Sequence, residues 1–130
     1  MALVEGALSY AILNAAYEVH NRLGTGFTEI IYQKAMILEL RSRDHKVEEG
    51  KRILVSYRDE TIGEFFLDLV VDDKVILELK AVSEILSIHK QQALAYVRAS
   101  DIPLAIVINF GGGSVTHSRV ANTRHRMLQK

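Results

Sequence analysis

Apolar residues along the first part of the chain recur at helical spacing: Leu8, Ile12, Ala16, Val19 and Leu23 form a stripe that Tyr10, Leu13 and Tyr17 widen. This spacing predicts a core-facing amphipathic helix from Leu3 to about Leu23. Gly24 and Gly26 stop it, as expected of a left-handed C-cap followed by a tight turn. A second helix is expected from Thr28, an N-capping residue type, to about Arg43, carrying Ile31, Ala35, Ile37, Leu38 and Leu40 inward. The period then falls to two. RILVSYR, GEFFLDLVVD and KVILELKAV are short runs of β-branched and aromatic residues separated by Asp, Glu and Gly, and read as a three-stranded meander. LSIHKQQALAYVRAS returns to helical spacing, with Ser87 as candidate cap and Ile88, Leu94 and Ala95 facing in. Pro103 cannot continue that helix, and PLAIVINF reads as a strand buried on both faces. GGGS follows as a loop, and a short, weakly patterned helix is expected to close the chain.

The order is therefore α-α-β-β-β-α-β-(α), an α/β (α+β) arrangement in which helices cover a mixed four-stranded sheet. A right-handed crossover would set the last strand parallel to the third, or to whichever meander strand it joins.

Composition narrows the class. A chain of 130 residues suits a single domain spanning 1–130. No apolar run approaches the roughly 20 residues needed to span a bilayer, so no membrane partner is expected. The opening MALVEGALSY carries Glu5 and lacks a basic n-region, so it does not read as a secretory signal. With no cysteine, disulfides and thiolate zinc sites are excluded, which fits a cytoplasmic location. The net charge of zero argues against a surface coated in positive potential. Its distribution is uneven, however: every acidic residue lies at or before Asp101, whereas Arg119, Arg124, Arg126 and Lys130 follow it with His117 and His125. That segment could touch phosphates or be a solvated tail.

The candidate chemistry lies in the meander. In VILELKAV residues alternate faces, so Ile76, Glu78, Lys80 and Val82 share one of them. A carboxylate and an ammonium thus sit side by side among apolar neighbours, and Asp68 is similarly enclosed in FFLDLVV. Charges in such surroundings are costly unless paired or bound to metal. If Val71 pairs with Val75, leaving Asp72, Asp73 and Lys74 as the loop, Asp68 lies opposite Glu78 with Cβ atoms about 4.5–5.5 Å apart. A two-residue loop would send Glu78 to the other face. Two such carboxylates repel unless a cation lies between them, and hard oxygen ligands favour Mg2+ or Mn2+. The same residues also fit a structural Asp–Lys or Glu–Lys bridge between strands.

Upstream, Gly26, Glu29 and Tyr32 are spaced G-x-x-E-x-x-Y in LGTGFTEIIY. The chain here resembles the GxxExxY protein family, a branch of the PD-(D/E)xK nuclease-like superfamily. The resemblance continues through FFLDLVVDDKVILELKAV, HKQQALAYVRAS and PLAIVINFG, from about Tyr10 to Gly111. It implies a restriction-endonuclease-like αβββαβ core preceded by an extra N-terminal helix. It also implies Asp68 as the motif aspartate, Glu78 and Lys80 as the ExK pair, Glu29 as a supporting acid and Gln92 as the glutamine beside the site. Leu67 stands where the superfamily's name has proline, and the match weakens over GGGSVTHSRV, from which no residue is carried.

The resulting expectation is a magnesium-dependent nuclease acting on nucleic acid, DNA first. Asp68, Glu78, the Leu79 carbonyl and Glu29 would hold the metal, and Lys80 would handle water or charge. Tyr32 and Tyr96 are expected as core aromatics with hydrogen-bonded hydroxyls, Gly26 as a backbone residue and His20 as structural. His89 shares a helix face with Gln92 and Tyr96, within reach of the site. The rival reading is a nucleic-acid or protein binding module that keeps the scaffold without catalysis. A homodimer would suit an enzyme that cuts two strands.

Overall fold

The computed structural model describes residues 4–121. Its elements are α1 (Gly6–Leu23), α2 (Glu29–Ser42), β1 (Val47–Tyr57), β2 (Glu60–Val71), β3 (Val75–Lys80), α3 (Ser87–Ala99), β4 (Leu104–Asn109) and β5 (Thr116–Ala121). The strands form one sheet in the order β1-β2-β3-β4-β5. Among the described residues only β3 and β4, joined by the α3 crossover, run parallel. This is the expected mixed αβββαβ arrangement behind an N-terminal helix, with one correction: the sheet has five strands, not four. THSRVA carries no apolar period that marks a strand, yet it pairs along the edge that β4 would otherwise leave open. It occupies the place where a closing helix was expected. The rest of the basic segment, with Arg124, His125, Arg126 and Lys130, lies outside the described residues.

Two apolar layers sandwich the sheet. On one side α1 and α2 pack Ile12, Ala16, Val19, Tyr32, Met36 and Leu40 against Leu69, Val75, Leu77 and Ile106. On the other, Ala93, Tyr96 and Val97 of α3 pack against Ile53, Leu67, Val70 and Ile76. Every residue of β4 is buried, as its continuous apolar run predicts. Among the described residues no helix is long and apolar enough to cross a membrane.

The helical stripes are narrower than their apolar content suggests. In α2 the buried row is Tyr32, Met36 and Leu40, each four residues on, with Ile37 beside it. Ile31 and Leu38, expected inward, are exposed, Leu38 at 72%. Tyr10 and Tyr17 likewise stand out from α1, and Ile88 out from α3, where Ala93, Tyr96 and Val97 are buried instead. Thr28 and Ser87 make no side-chain cap. Thr28 holds the N-cap backbone conformation of α2 without a side-chain bond, and the α3 cap position is Leu86, whose N–H donates to His89 Nδ1 at 3.0 Å.

Candidate active site

Of the two possible loop lengths, the β2–β3 hairpin has the three-residue one, which a shared face for Asp68 and Glu78 needs. Val71 pairs with Val75, Val70 with Ile76 and Leu69 with Leu77, leaving Asp72-Asp73-Lys74 as the connection. Both aspartates take positive φ, 53° and 58°. The ladder stops at Leu69–Leu77, one step short of Asp68 and Glu78. Beyond it the Leu79 N–H, aimed at β2, finds a side chain instead of a backbone acceptor. It donates to Asp68 Oδ2 at 3.0 Å.

Glu78 and Lys80, two residues apart on one face of β3, form an ion pair of 3.3 Å. Glu78 is 4% exposed, and its Oε2 is buried without a hydrogen-bond partner. Burial, then repulsion from Asp68, push the Glu78 carboxyl up to about 7 against the opposing pull of Lys80. Burial raises Asp68 as well, opposed by the Leu79 N–H and Lys80. Four carboxylate oxygens thus share one ammonium and one backbone N–H in a partly desolvated spot, an arrangement held at an electrostatic cost.

The remaining candidates are placed unequally. Glu29, in the first turn of α2, is half-buried, and its carboxyl is raised by burial while feeling Lys80, Asp68 and His89. It therefore lies within electrostatic reach. Even so, no three Asp, Glu or His side chains converge as a ready-made metal cluster among the described residues. Gln92 is exposed on α3, one turn before Tyr96. His89 caps its own helix through Nδ1, which as acceptor leaves the ring proton to Nε2. Tyr32 is a core residue: it stacks on Phe110 at 4.7 Å and donates its hydroxyl to the Gly24 carbonyl at 2.6 Å. Gly26 has φ 101°. His20 also lies over Phe110, with ring centroids 6.5 Å apart.

Tyr96 has more to do with the carboxylates than a plain core aromatic would. It packs edge-on against Phe65, and burial followed by the charges of Glu78 and Asp68 push its phenol up to about 12, with Gln92 opposing. The hydroxyl therefore stays protonated across the working range. Asn109, missed in the sequence, fastens the end of β3: its side chain accepts from the Val82 and Gly111 N–H groups and donates to the Val82 carbonyl. A Cβ on Gly111 would lie 2.2 Å from the Val82 oxygen, so only glycine admits this approach. An asparagine ending an apolar strand before glycine was the one available signal. Its partner could not be read from spacing.

A family model described as the PD-(D/E)XK nuclease superfamily matches residues 6–121. No curated protein shows a significant match. A solved chain described as "Crystal structure of SSO0001" is similar at 13% identity, with 97% of this chain and 89% of that chain covered and a TM-score of 0.49.

Proposed function

The chain belongs to the PD-(D/E)XK nuclease superfamily, and from that premise we propose that it is a divalent-metal-dependent nuclease of the GxxExxY branch, hydrolysing phosphodiester bonds in DNA. It would act in the cytoplasm as one nuclease-like domain, and a homodimer would supply the two sites needed to cut both strands of a duplex. The observation that carries the reading is the buried, unpartnered Glu78 Oε2 beside Asp68 and Lys80. Structural ion pairs normally satisfy their oxygens, and this one does not.

The donor set fits Mg2+ or Mn2+, which take carboxylate and carbonyl oxygens. Asp68, Glu78 and the Leu79 carbonyl would hold the ion, with Glu29 supporting them. A bound divalent ion supplies Lewis-acid polarisation of the phosphodiester and a more acidic water. The chain's own groups do the rest. Lys80, steadied by Glu78, presents an ammonium that offsets charge developing on the phosphate. The Tyr96 phenol keeps its proton at neutral pH and so can donate a hydrogen bond but not act as a base, and Gln92 can donate or accept at the helix edge.

Purified protein incubated with single-stranded, duplex and branched DNA and with RNA, in magnesium or manganese, should cut at least one DNA form. Asp68→Ala and Lys80→Ala should each abolish that cutting. Failure to cut any form, or activity that survives Asp68→Ala, would overturn the proposal.

A binding module without turnover is favoured by one observation, the lack of a three-residue metal cluster among the described residues. Manganese titration calorimetry separates the two. The nuclease requires metal-dependent heat that Glu78→Ala removes, and the module requires none.

A further inference from the structure

Two irregularities of the sheet fall at the same place. Along β1 and β2 the pairing runs Glu49 with Leu69 and then Lys51 with Leu67, omitting the pair between them, Gly50 and Asp68. The β2–β3 ladder ends at that point too, with Leu69 and Leu77 its last pair. Gly50 has φ 67°, in the left-handed region that side chains with a Cβ rarely adopt.

The packing changes sides there. Val47 belongs to the layer under α1 and α2, whereas Ile53, an even number of residues on, belongs to the layer under α3. A regular strand would put both on one face. On β2, Leu69 and Val71 pack with Val47, but Leu67, two residues away, packs with Ile53. Both strands of the hairpin therefore reverse faces at the Gly50–Asp68 step. The arm beyond it leaves β3 and folds onto α3, where Phe65 meets Tyr96. Where the ladder ends, the Asp68 carboxylate accepts from the Leu79 N–H.

We infer that Gly50 is a positioning residue for the site: its left-handed backbone reverses the β1–β2 arm and thereby aims the Asp68 carboxylate at the Leu79 amide beside Glu78. This rests on the site proposed above, but the geometric claim stands apart from whether the site cuts nucleic acid.

Open space makes the claim testable. A Cβ built on Gly50 meets nothing within 4 Å, so a substitution acts through backbone conformation and not through a clash. Asparagine tolerates the left-handed region and valine does not. Amide hydrogen exchange of the metal-free protein, resolved by residue, reads the Asp68–Leu79 bond directly. In Gly50→Val the Leu79 amide should exchange about tenfold faster relative to the β4 amides of Ile106 and Val107, while Gly50→Asn stays close to wild type. Manganese affinity by calorimetry should fall in Gly50→Val and be retained in Gly50→Asn.

A Leu79 amide as protected in Gly50→Val as in wild type would overturn the inference. So would an equal loss of protection across β3 and β4, which would mark Gly50 as a general stability residue. Should Gly50→Val fail to fold, Gly50→Ala imposes a smaller strain of the same kind and is judged by the same pattern, faster exchange at Leu79 than at Ile106 and Val107. A wild type that binds no manganese would sink the nuclease reading and leave the exchange result to decide the role of Gly50.

Discussion

The two ends of the β2–β3 hairpin carry similar residues and treat them in opposite ways. At the turn, Asp72 accepts from the Lys46 N–H at 2.8 Å and faces His45 Nδ1 at 2.8 Å, while Asp73 pairs with the Lys46 ammonium at 2.9 Å. Burial tends to raise the Asp72 carboxyl, but the His45 and Lys46 bonds outweigh it and the net shift is downward. At the far end, burial wins for Glu78 and leaves Oε2 without a partner. Composition does not distinguish the ends, since each has two carboxylates near a lysine. The difference is the number of donors per oxygen and the access of water. One end uses charge to fix a turn; the other holds charge in a form that a cation would relieve.

The sharpest way to break this comparison is to neutralise one carboxylate at each end. Glu78→Gln should lower metal-dependent cleavage by about a thousandfold, whereas Asp72→Asn should change it less than about twofold. Stability should move the other way. In chelator at pH 8, urea unfolding should show Glu78→Gln more stable than wild type by about 2 kcal/mol, because a buried, repelled charge has gone. Asp72→Asn should be less stable by about 1 kcal/mol, since it weakens two hydrogen bonds at a partly exposed site. If both variants lose stability, Glu78 is a structural partner and the contrast collapses.

This contrast was only half legible in the sequence. The alternation in VILELK put Glu78 and Lys80 on one face, because strand periodicity is a local property, whereas turn length left two registers open and only a shared Asp68–Glu78 face chose Val71 against Val75. What local rules missed were consequences of packing elsewhere. Leu38 and Ile88 were expected inward because they are apolar, but narrow helix stripes leave them in solvent. β5 owes its conformation to the open edge of β4 and not to its own six residues. The Asn109 clamp joins β4 to Val82, 27 positions away in the chain. Likewise, nothing near Gly50 in sequence announces that its backbone faces Asp68.

Next in size is the dependence of stability on pH. The Glu78 carboxyl titrates near 7 in the folded protein and near 4.5 when unperturbed, so between these values the folded state holds a proton that the unfolded state has lost. Metal-free wild type should therefore lose up to about 3 kcal/mol through Glu78 as pH rises from 4.5 through 7, a slope that Glu78→Gln reduces to what the raised Asp68 and Glu29 carboxyls contribute. Asp72 works in the opposite sense. Its lowered carboxyl contributes stability above the ordinary carboxylate range, and that contribution is lost as pH falls through its depressed value. Asp72→Asn should flatten the acid limb and leave the limb near neutrality unchanged. Denaturant midpoints across pH 3–8 for the three proteins test both limbs, and a wild type whose stability climbs from pH 5 to 7 would contradict the Glu78 assignment.

The smallest effect expected concerns what holds Asp72 down. Its side chain is 29% exposed, and its partners are one imidazole and one backbone N–H. Removing the imidazole with His45→Ala leaves the Lys46 N–H in place, so the loss should be modest. A double-mutant cycle on His45→Ala and Asp72→Asn at pH 6 should give a coupling of about 0.5–1 kcal/mol, reduced by salt because both groups meet solvent. The same cycle in 1 M sodium chloride should give less than half that value. Coupling near zero at low salt would mean that the backbone N–H alone fixes the turn carboxylate. The distinction between the hairpin ends would then rest on backbone donors, of which Asp72 and Asp68 each have one, and the orphaned oxygen of Glu78 would be the single feature separating a fixed turn from a site.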